Sequence, residues 1–321
     1  MRVLVFGAGA VGGVLGARLH IAHHEVLLVA REEAVVAIRT DGLRLEGPLA
    51  GTYRIAAIDA LPDGAEVEAV LVTVKAPDLG PAAATLARRL TAPGPILLLQ
   101  NGLGIEEAFR DGWVGTGRPY PAPDILRAIS TVPATRLGPG HVREAGRGEI
   151  RIGAPSAGAG GAAAAERWRR LLASTGLTVA VVPDLPREIW RKLIVNAAIN
   201  PVTADHGILN GALARDPWRG QAEALLREAL AVARAEGFDF PDDEIEADLW
   251  RIVRATAANR SSMGQDLARG RPTEIEFISG ALLRIGARHG IAMPATERAA
   301  ARIRSRRPVG PAAPGAPPQP S

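Results

Sequence analysis

Cysteine is absent from this sequence of 321 residues, and aromatic residues make up only 4% of it. The lack of cysteine excludes disulfide bonds, thiolate catalysis and cysteine-ligated zinc, and it favours a cytoplasmic protein over a disulfide-stabilised secreted one. The six histidines show no HExxH pattern or other metal-ligand spacing. The sequence therefore predicts no metal site.

Long hydrophobic runs are also missing, since none reaches the roughly 18 residues that a membrane-spanning helix needs. The segment Val3–Ala17 follows Met1-Arg2 and can be compared with a signal peptide. Its five glycines favour instead a strand, a turn and a helix. We therefore expect a cytoplasmic protein with no membrane partner.

The charge is basic, with a net value of +4 and a pI near 10.2. The arginines are scattered along the chain, aromatic residues are few, and no nucleic-acid-binding motif is present. We therefore expect no nucleic-acid partner, although a basic face can still attract an anionic small molecule.

The first half alternates short apolar runs with amphipathic segments, which is typical of βαβ units around a parallel sheet. The predicted strands are Arg2–Phe6, Glu25–Ala30, Ala69–Thr73 and Ile96–Leu99, and the predicted helices are Gly12–His20, Glu32–Thr40 and Gly80–Leu90. Further on, the alternating runs of Gly138–Gly153 predict a β-ribbon, followed by a loop (157–162), a helix (Ala163–Ser174) and a strand (Leu177–Val182).

From Pro186 the apolar spacing changes to that of helices, so we predict a domain boundary near Pro183–Pro186. The expected division is a doubly wound Rossmann domain over 1–184 and an all-helical domain over 185–306. The remaining residues, 307–321, are rich in Pro, Ala and Gly and are expected to be disordered. The predicted helices are Arg187–Asn200, Gln221–Glu236, Asp242–Arg260 and Glu274–His289.

The clearest motif is Gly7-x-Gly9-x-x-Gly12, which directly follows a predicted strand and opens a predicted helix. In a dinucleotide-binding fold the first glycine permits a tight turn, the second lets the backbone approach the pyrophosphate, and the third lets helix pack on strand. A lone motif of this kind is weak, but strand, helix and second strand follow here in the correct order. The sequence predicts a nicotinamide dinucleotide site at Gly7, Ala8, Gly9, Ala10, Val11 and Gly12.

The choice between NAD and NADP depends on the end of the second predicted strand. NAD enzymes usually place a carboxylate there, whereas this chain has Ala30 and Arg31. Arginine matches a phosphate with two hydrogen bonds, so the residues favour NADPH. Glu32 and Glu33 leave NAD open, but we expect them to be acidic residues of the next helix's first turn.

Polar residues also follow the third and fourth predicted strands, on the side of the sheet that faces the ligand crevice. Lys75 comes after the strand Ala69–Thr73, and Gln100-Asn101-Gly102 comes after Ile96–Leu99. Both are candidates for ligand contact. A solvated loop lysine and an ordinary Asn-Gly turn are the alternatives.

In the second half, Lys192, Asn196 and Asn200 are four residues apart and form one polar stripe on a predicted helix, which Pro201 is expected to end. The residues between them are apolar, so the helix is expected to be largely buried. Because unpaired polar groups are costly there, the stripe either satisfies itself or lines a polar cleft.

Two further polar segments, Ser261–Gln265 and Thr273–Glu276, have the pattern of helix starts with capping boxes. They are either caps alone or part of the site. Glu274 is expected in the first turn of its helix, where the dipole keeps a carboxylate ionised.

Together these segments resemble the ketopantoate reductase family, in order and over nearly all of residues 1–300, and the Lys192–Pro201 segment is the most specific. The resemblance implies a Rossmann domain and a helical domain with the active site between them, and NADPH-dependent reduction of 2-dehydropantoate to (R)-pantoate in pantothenate biosynthesis. The segments that carry it are Gly7–Gly12, Val72–Ala76, Gln100–Gly102, Trp190–Ala204, Ser261–Asp266 and Thr273–Glu276.

By the same resemblance, Lys192 matches the proton donor, and Glu274 joins it as a catalytic residue. The implied substrate-binding positions are Asn101, Lys192, Asn196, Asn200, Asn210 and Ser262. The implied cofactor-side positions are Gly7–Gly12, Arg31, Lys75, Asn101, Ala134 and Glu274.

One segment departs from the family pattern. Members often carry a Thr-Thr-His-Gly/Ala-Ala run where this chain has Ile129-Ser-Thr-Val132-Pro133-Ala134-Thr. The change keeps a reductase of another 2-oxo acid open as an alternative. A non-catalytic NADP-binding sensor is a second alternative, and either a monomer or a homodimer is expected.

Overall fold

The computed structural model describes residues 1–153 and 159–306 and divides the chain into two compact units, after Glu188 and from Ile189. The division falls inside the helix Leu185–His206, just after the boundary that the sequence predicts. The tail from residue 307 and part of the loop 157–162 lie outside the described residues.

The first unit alternates strands and helices. Its strands are β1 (Arg2–Phe6), β2 (Glu25–Val29), β3 (Leu43–Glu46), β4 (Gly51–Tyr53), β5 (Ala56–Ile58), β6 (Ala65–Val67), β7 (Ala69–Val72), β8 (Leu90–Pro93), β9 (Ile96–Leu98), β10 (Ile125–Ser130), β11 (Ala134–Gly138), β12 (His141–Glu144), β13 (Glu149–Gly153) and β14 (Thr178–Val182). Its helices are α1 (Ala10–Ile21), α2 (Glu32–Asp41), α3 (Leu79–Arg89), α4 (Ile105–Val114) and α5 (Ala159–Ala173), with 3-10 turns at Ala76–Asp78 and Ala122–Asp124.

The main sheet of this unit has eight strands in the order β14-β13-β10-β9-β7-β1-β2-β5. From β10 to β5 all neighbours are parallel, and β13 joins β10 antiparallel. Val3–Val5 of β1 and all of β7 are buried, as a sheet covered on both faces requires. The strand order reverses between β1 and β7, which is where doubly wound sheets bind ligands. The predicted Rossmann fold is confirmed.

A second, four-stranded sheet has the order β11-β12-β3-β4 and corrects the predicted ribbon. Strand β12 pairs with β11 and β3, whereas β13 pairs with β10 and β14 in the main sheet. Ile150 and Ile152 of β13 are fully buried there, which favours the main sheet over a pairing with β12. The ribbon was wrong because alternation identifies a strand but not its partner.

From Leu185 onward the described chain is helical, with no strand up to residue 306, and the predicted helical second part is confirmed. None of the helices within the described ranges is both long and apolar enough to cross a membrane. The helices are α6 (Leu185–His206), α7 (Trp218–Ala235), α8 (Asp242–Ala255), α9 (Ser262–Ala268), α10 (Ser279–Arg288) and α11 (Pro294–Ser305), with 3-10 turns at Asn210–Ala214 and Ile275–Phe277.

Pro201 does not end helix α6, contrary to the prediction. The helix continues to His206 with the proline inside it. A proline removes one N–H donor and crowds the preceding turn. Val202 and Ala204 are buried immediately beyond it, and burial of that apolar face is the main source of stability for such a helix.

Two other helix predictions were too long. Helix α8 ends at Ala255 rather than Arg260, and the segment from Glu274 divides into a 3-10 turn and helix α10. Ile278 separates these two with a ψ of −89°, which is outside the helical range. Glu274 precedes the turn and makes no side-chain capping hydrogen bond, so the predicted capping box there is also wrong.

Candidate active site

Gly7, the first glycine of the motif, lies directly after β1 in a conformation that favours glycine. Its φ is +113°, and an added Cβ would lie 2.6 Å from the backbone nitrogen of Val74. Its N–H donates to the carbonyl of Val29 (2.9 Å), and its carbonyl accepts from the hydroxyl of Thr73 (2.8 Å). The end of β1 is thereby joined to the ends of β2 and β7.

Gly12 and Gly9 differ in the space beside them, which is tight at Gly12 and open at Gly9. A Cβ at Gly12 would lie 2.2 Å from the carbonyl oxygen of Gly7 and 2.4 Å from Thr73 Oγ1, so only glycine fits there. A Cβ at Gly9 would meet nothing closer than Gly7 O at 4.0 Å, which leaves room for a ligand. Gly9 is the N-cap of α1 and no side chain caps this helix, so its first N–H groups are available to a phosphate. The loop fits a pyrophosphate, and its other members are half-buried: Ala8, Ala10 and Val11.

The end of β2 carries the residues from which the sequence predicts the choice between NAD and NADP. Arg31 is exposed and is the N-cap of α2, and Glu32 and Glu33 are in the first turn of that helix, as predicted. Glu33 accepts a hydrogen bond from Arg136 Nη2 at 2.6 Å. Arg136 belongs to β11 and was missed by sequence reasoning.

Gln100, which follows β9, is buried and holds two strand ends together. Its Nε2 donates to the carbonyls of Val72 (2.9 Å) and Val74 (3.0 Å), while its Oε1 has no partner among the described residues. Lys75 and Asn101 lie beside these groups in the chain and are half-buried. The polar residues after β7 and β9 are thus on one edge of the sheet, as predicted.

Arg127 of β10 supports the turn after β9 and was missed by sequence reasoning. It is buried, and its Nη2 donates to the carbonyls of Gln100 (3.3 Å) and Gly102 (2.7 Å). Its Nη1 pairs with Glu106 at the start of α4. A charged residue within the apolar run of β10 is the signal that could have identified it.

The segment after β10 contains the departure from the family pattern. Val132 is buried, and its N–H donates to Ser130 Oγ at 3.1 Å. The carbonyl of Pro133 accepts from the N–H of Ala145 (2.8 Å). Ala134 then begins β11 and is half-buried.

In the second unit, Lys192, Asn196 and Asn200 lie on one face of α6, as the spacing predicts. Lys192 and Asn196 are half-buried, and Asn200 is buried. The intervening residues Leu193–Val195 and Ala197–Ile199 are buried, so the expected largely buried helix is confirmed.

A hydrogen-bonded pair of hydroxyls joins α6 to the start of α9. Thr203 Oγ1 donates to the carbonyl of Ile199 (2.8 Å) and lies 2.7 Å from Ser261 Oγ. Ser261 caps α9 by accepting from the N–H of Gly264 (3.1 Å), which confirms the helix start predicted there. Ser262 is the exposed first residue of that helix. Thr203 was missed, although it is three residues beyond Asn200 on the same face.

Asn210 and Glu274 are both buried in the second unit. Asn210 donates from Nδ2 to Thr256 Oγ1 (3.0 Å) and from its backbone to the carbonyl of Asn259 (2.9 Å). Its Oδ1 is buried without a partner among the described residues. Glu274 accepts backbone hydrogen bonds from the 3-10 turn that follows it.

Arg191, the neighbour of Lys192, fixes α6 against α8. Its Nε donates to Asp248 (2.6 Å) and its Nη1 pairs with Glu244 (2.6 Å). These carboxylates raise the pKa of Arg191, the hydrogen bond to Asp248 being the largest cause. Burial alone would raise the pKa of Asp248, but hydrogen bonds from Arg191 and Arg251 outweigh it and lower that pKa.

No group of three or more His, Cys, Asp or Glu side chains is placed to hold a metal ion within residues 1–153 and 159–306.

The candidate residues form two sets. One follows the carboxyl ends of parallel strands in the first unit, and the other lies on and around α6 in the second.

Profiles of one protein family match both units. The profile described as ketopantoate reductase PanE/ApbA matches residues 3–157, and the one described as ketopantoate reductase PanE/ApbA C terminal matches residues 184–307. Together they cover most of the chain.

Individual proteins are similar over the same length. The 2-dehydropantoate 2-reductase of Archaeoglobus fulgidus is 34% identical over 291 residues, 90% of this chain and 92% of that protein. The enzyme of the same name from Vibrio cholerae is 34% identical over 296 residues, 92% of this chain and 94% of that protein.

Solved structures have the same fold. A PanE/ApbA family ketopantoate reductase from Ralstonia eutropha has a TM-score of 0.83 and 33% identity, over 95% of this chain and 97% of that one. A ternary complex of D-mandelate dehydrogenase with NADH has a TM-score of 0.86 at 24% identity, over 95% and 98%. The second likeness shows the fold alone.

Proposed function

Since the chain belongs to the ketopantoate reductase family, we propose that it reduces 2-dehydropantoate to (R)-pantoate with NADPH, as a step of pantothenate biosynthesis. It is an oxidoreductase of that family, and its curated relatives of about one-third identity are named 2-dehydropantoate 2-reductase. The substrate, the cofactor and the proton donor are the parts of this proposal that an experiment must test.

The observation that carries the chemistry is the placement of the lysines. Lysine and arginine together number 38, and only Lys75 and Lys192 are lysine. Lys75 follows β7, and Lys192 is on the polar face of α6. Arginine cannot release a proton near neutral pH, whereas lysine can. In a chain that otherwise uses arginine, a lysine on this polar face supports its assignment as the proton donor.

When bound, NADPH supplies the hydride that adds to the keto carbon of the substrate. The keto oxygen then needs a proton, and we assign this proton to Nζ of Lys192. The ammonium also stabilises the negative charge that develops on that oxygen. We assign Glu274 to the same catalytic group as Lys192.

The cofactor is assigned to the first unit's strand ends, where the glycine loop leaves room for a pyrophosphate and α1 presents N–H groups. NADPH is preferred to NADH because Arg31 is exposed where NAD enzymes usually have a carboxylate. The residues assigned to it are Gly7–Gly12, Arg31, Lys75, Asn101, Ala134 and Glu274.

The substrate is assigned to neutral hydrogen-bonding side chains, which hold a carboxylate and a hydroxyl without adding charge. Asn210 Nδ2 is engaged by Thr256, which leaves its buried Oδ1 to accept from a substrate hydroxyl. The residues assigned to substrate binding are Asn101, Lys192, Asn196, Asn200, Asn210 and Ser262.

A second candidate is the reduction of another 2-oxo acid, which the segment after β10 favours. Val132 is buried and Pro133 lacks an N–H, in the segment where family members often carry the Thr-Thr-His-Gly/Ala-Ala run. This segment follows a strand at the ligand edge of the sheet, so an apolar replacement there favours a substrate with a different side chain.

The test is to follow NADPH oxidation by the full chain with 2-dehydropantoate and a panel of other 2-oxo acids. We expect 2-dehydropantoate to be the fastest substrate and Lys192→Ala to lower kcat by about 10²–10⁴-fold. Arg227→Ala, at an exposed position of α7, is the control that should leave kcat unchanged.

Each other outcome has a definite meaning. A faster reaction with another 2-oxo acid supports the second candidate. Binding of NADPH without turnover of any 2-oxo acid supports a non-catalytic sensor. Unchanged turnover in Lys192→Ala contradicts the assigned proton donor.

A further inference from the structure

Arg136 and Glu33 form an ion pair between the small sheet, which is the four-stranded sheet β11-β12-β3-β4, and the start of α2. Arg136 Nη2 donates to Glu33 Oε1 at 2.6 Å, and Arg136 Nε donates to the carbonyl of Gly138 at 3.1 Å. The side chain of Arg136 is 11% exposed and that of Glu33 is 56% exposed. Arg136 therefore makes two hydrogen bonds, one to the backbone of its own strand and one to the more exposed carboxylate of Glu33.

This ion pair lies next to the residues that we assign to the cofactor's ribose. Glu33 is two residues from Arg31, in the first turn of the helix that follows β2. In a Rossmann fold, the end of the second strand faces the 2′ position of the adenosine ribose. The inference that follows therefore rests on the proposed cofactor site.

The local charge balance decides which 2′ substituent is tolerated. Arg31 contributes one positive charge, and Glu32 and Glu33 contribute two negative charges. A 2′-phosphate is repelled by a net negative helix start, and this repulsion opposes the attraction of the helix dipole. Arg136 supplies the second positive charge and brings the sum of these four side chains to zero.

We propose that Arg136 is a specificity-determining residue that sets the preference for NADPH over NADH. It acts by holding Glu33 in an ion pair, so that the carboxylate neither repels the 2′-phosphate nor reaches a ribose hydroxyl. Arg31 is then left to bind the phosphate. Arg136 is a positioning residue, since it acts through Glu33 and not by contact with the cofactor.

The packing of the small sheet explains why Arg136 is held in this position. A Cβ at Gly13 of α1 would lie 2.8 Å from Val142 of β12, and one at Gly140 would lie 3.1 Å from Ile38 of α2. The hairpin β11–β12 is therefore in close contact with both helices. A charge on such a rigid support needs little reorganisation to hold its partner.

The experiment compares dissociation constants of NADPH and NADH for the full chain, measured by direct binding without substrate. The variants form a charge series: R136Q lowers the local sum to −1, E33Q raises it to +1, and R136Q/E33Q restores zero. The measured ratio is the dissociation constant of NADH divided by that of NADPH. We expect it to change about tenfold for each unit of charge. R136Q should lower the ratio, E33Q should raise it, and the double variant should match the wild type.

Arg143→Gln is the matched control. Arg143 lies on β12 of the same sheet and pairs with Glu46 at 2.6 Å, so the variant removes one positive charge from another ion pair of this sheet. It should leave the ratio unchanged. Repeating the series at high salt should shrink the effect of R136Q, because exposed charges are screened.

Three results would overturn the inference. The first is that R136Q weakens the binding of NADPH and of NADH equally. The second is that the double variant binds NADPH as weakly as R136Q does, and the third is that Arg143→Gln shifts the ratio of dissociation constants as much as R136Q does. If R136Q does not fold, E33Q still decides the matter, because it must raise the ratio. A wild-type chain that binds neither cofactor contradicts the proposed function instead.

Discussion

Lys192 and Arg191 are adjacent cations on α6 with different roles. Arg191 forms short hydrogen bonds to the carboxylates of α8, where a planar guanidinium suits two acceptors. Lys192 lies on the polar face with Asn196 and Asn200. The sum of positive charges therefore does not distinguish Arg191, which joins two helices, from Lys192, which we propose as the proton donor.

The glycine loop allows the effects on folding and on binding to be separated. Gly12→Ala places a Cβ 2.2 Å from a carbonyl oxygen, so the loop must shift. Gly9→Ala places it in open space, where the pyrophosphate is expected. We expect Gly12→Ala to lower both the thermal midpoint and NADPH affinity, the latter by about tenfold or more. Gly9→Ala should lower affinity alone.

The control for this pair is Gly220→Ala, where an added Cβ meets nothing within 4 Å. It lies in α7, and alanine is the better helix former by about 0.5–1 kcal/mol, so its thermal midpoint should stay the same or rise. Equal loss of the thermal midpoint in Gly9→Ala and Gly12→Ala would contradict the assigned roles.

At the scale of elements, α6 shows how tertiary contacts overrule a local rule. Proline usually ends a helix, yet this one continues past Pro201 with Val202 and Ala204 buried. The extra turn brings Thr203 to Ser261, and that contact positions the start of α9. Ser262, the exposed residue assigned to substrate, therefore depends on the part of α6 that the sequence did not predict.

Removal of the Thr203 hydroxyl tests this dependence. Thr203→Val removes the α6 partner of the Ser261 hydroxyl and leaves it only the N–H of Gly264, so we expect a loss of about 1–3 kcal/mol in the free energy of unfolding. Thr203→Ser keeps the hydroxyl and should lose less. Denaturant unfolding gives the energy, and KM for the 2-oxo acid reports on the start of α9. A Thr203→Ser variant that loses more stability than Thr203→Val would show that the methyl group matters more than the hydrogen bond.

At the scale of the whole molecule, paired carboxylates make stability depend on pH. Asp248 and Asp205 are buried, and burial alone would raise the pKa of each. Hydrogen bonds from arginines outweigh burial in both cases and lower the pKa, with Arg191 the main partner of Asp248 and Arg306 that of Asp205. Each pair therefore stabilises the fold only while its carboxyl group is ionised.

The sign follows from linkage. A carboxyl group whose pKa is lower in the folded chain stabilises it above the unfolded pKa, about 3.9, and this contribution disappears as the pH falls through the folded pKa. We expect the free energy of unfolding to decrease when the pH is lowered below about 4. Asp248→Asn should lose about 1–3 kcal/mol at pH 7, and its difference from the wild type should narrow in acid.

The measurement is denaturant unfolding at a series of pH values. Asp243→Asn, in the exposed first turn of α8, is the control and should change stability little. A difference between Asp248→Asn and the wild type that does not vary with pH would contradict the assignment.

The sequence predicted the parts of the candidate site that depend on local order. The glycine spacing needs only a strand and a helix on either side, and both are present at β1 and α1. The stripe on α6 needs only the helical period. Arg127 and Arg136 were missed because each acts on a backbone or side-chain group distant in the chain.

The sequence by itself determined the Rossmann alternation, the helical second part, the glycine loop between β1 and α1 and the polar face of α6, because each is a periodic pattern or a short motif. Only the tertiary structure decided that β12 and β13 belong to different sheets, that α6 continues past Pro201, and that Glu33 is paired with Arg136. The physical reason is the same in each case. Strand partners, the burial that outweighs a proline, and the neutralisation of a charge depend on residues that come together only when the chain folds.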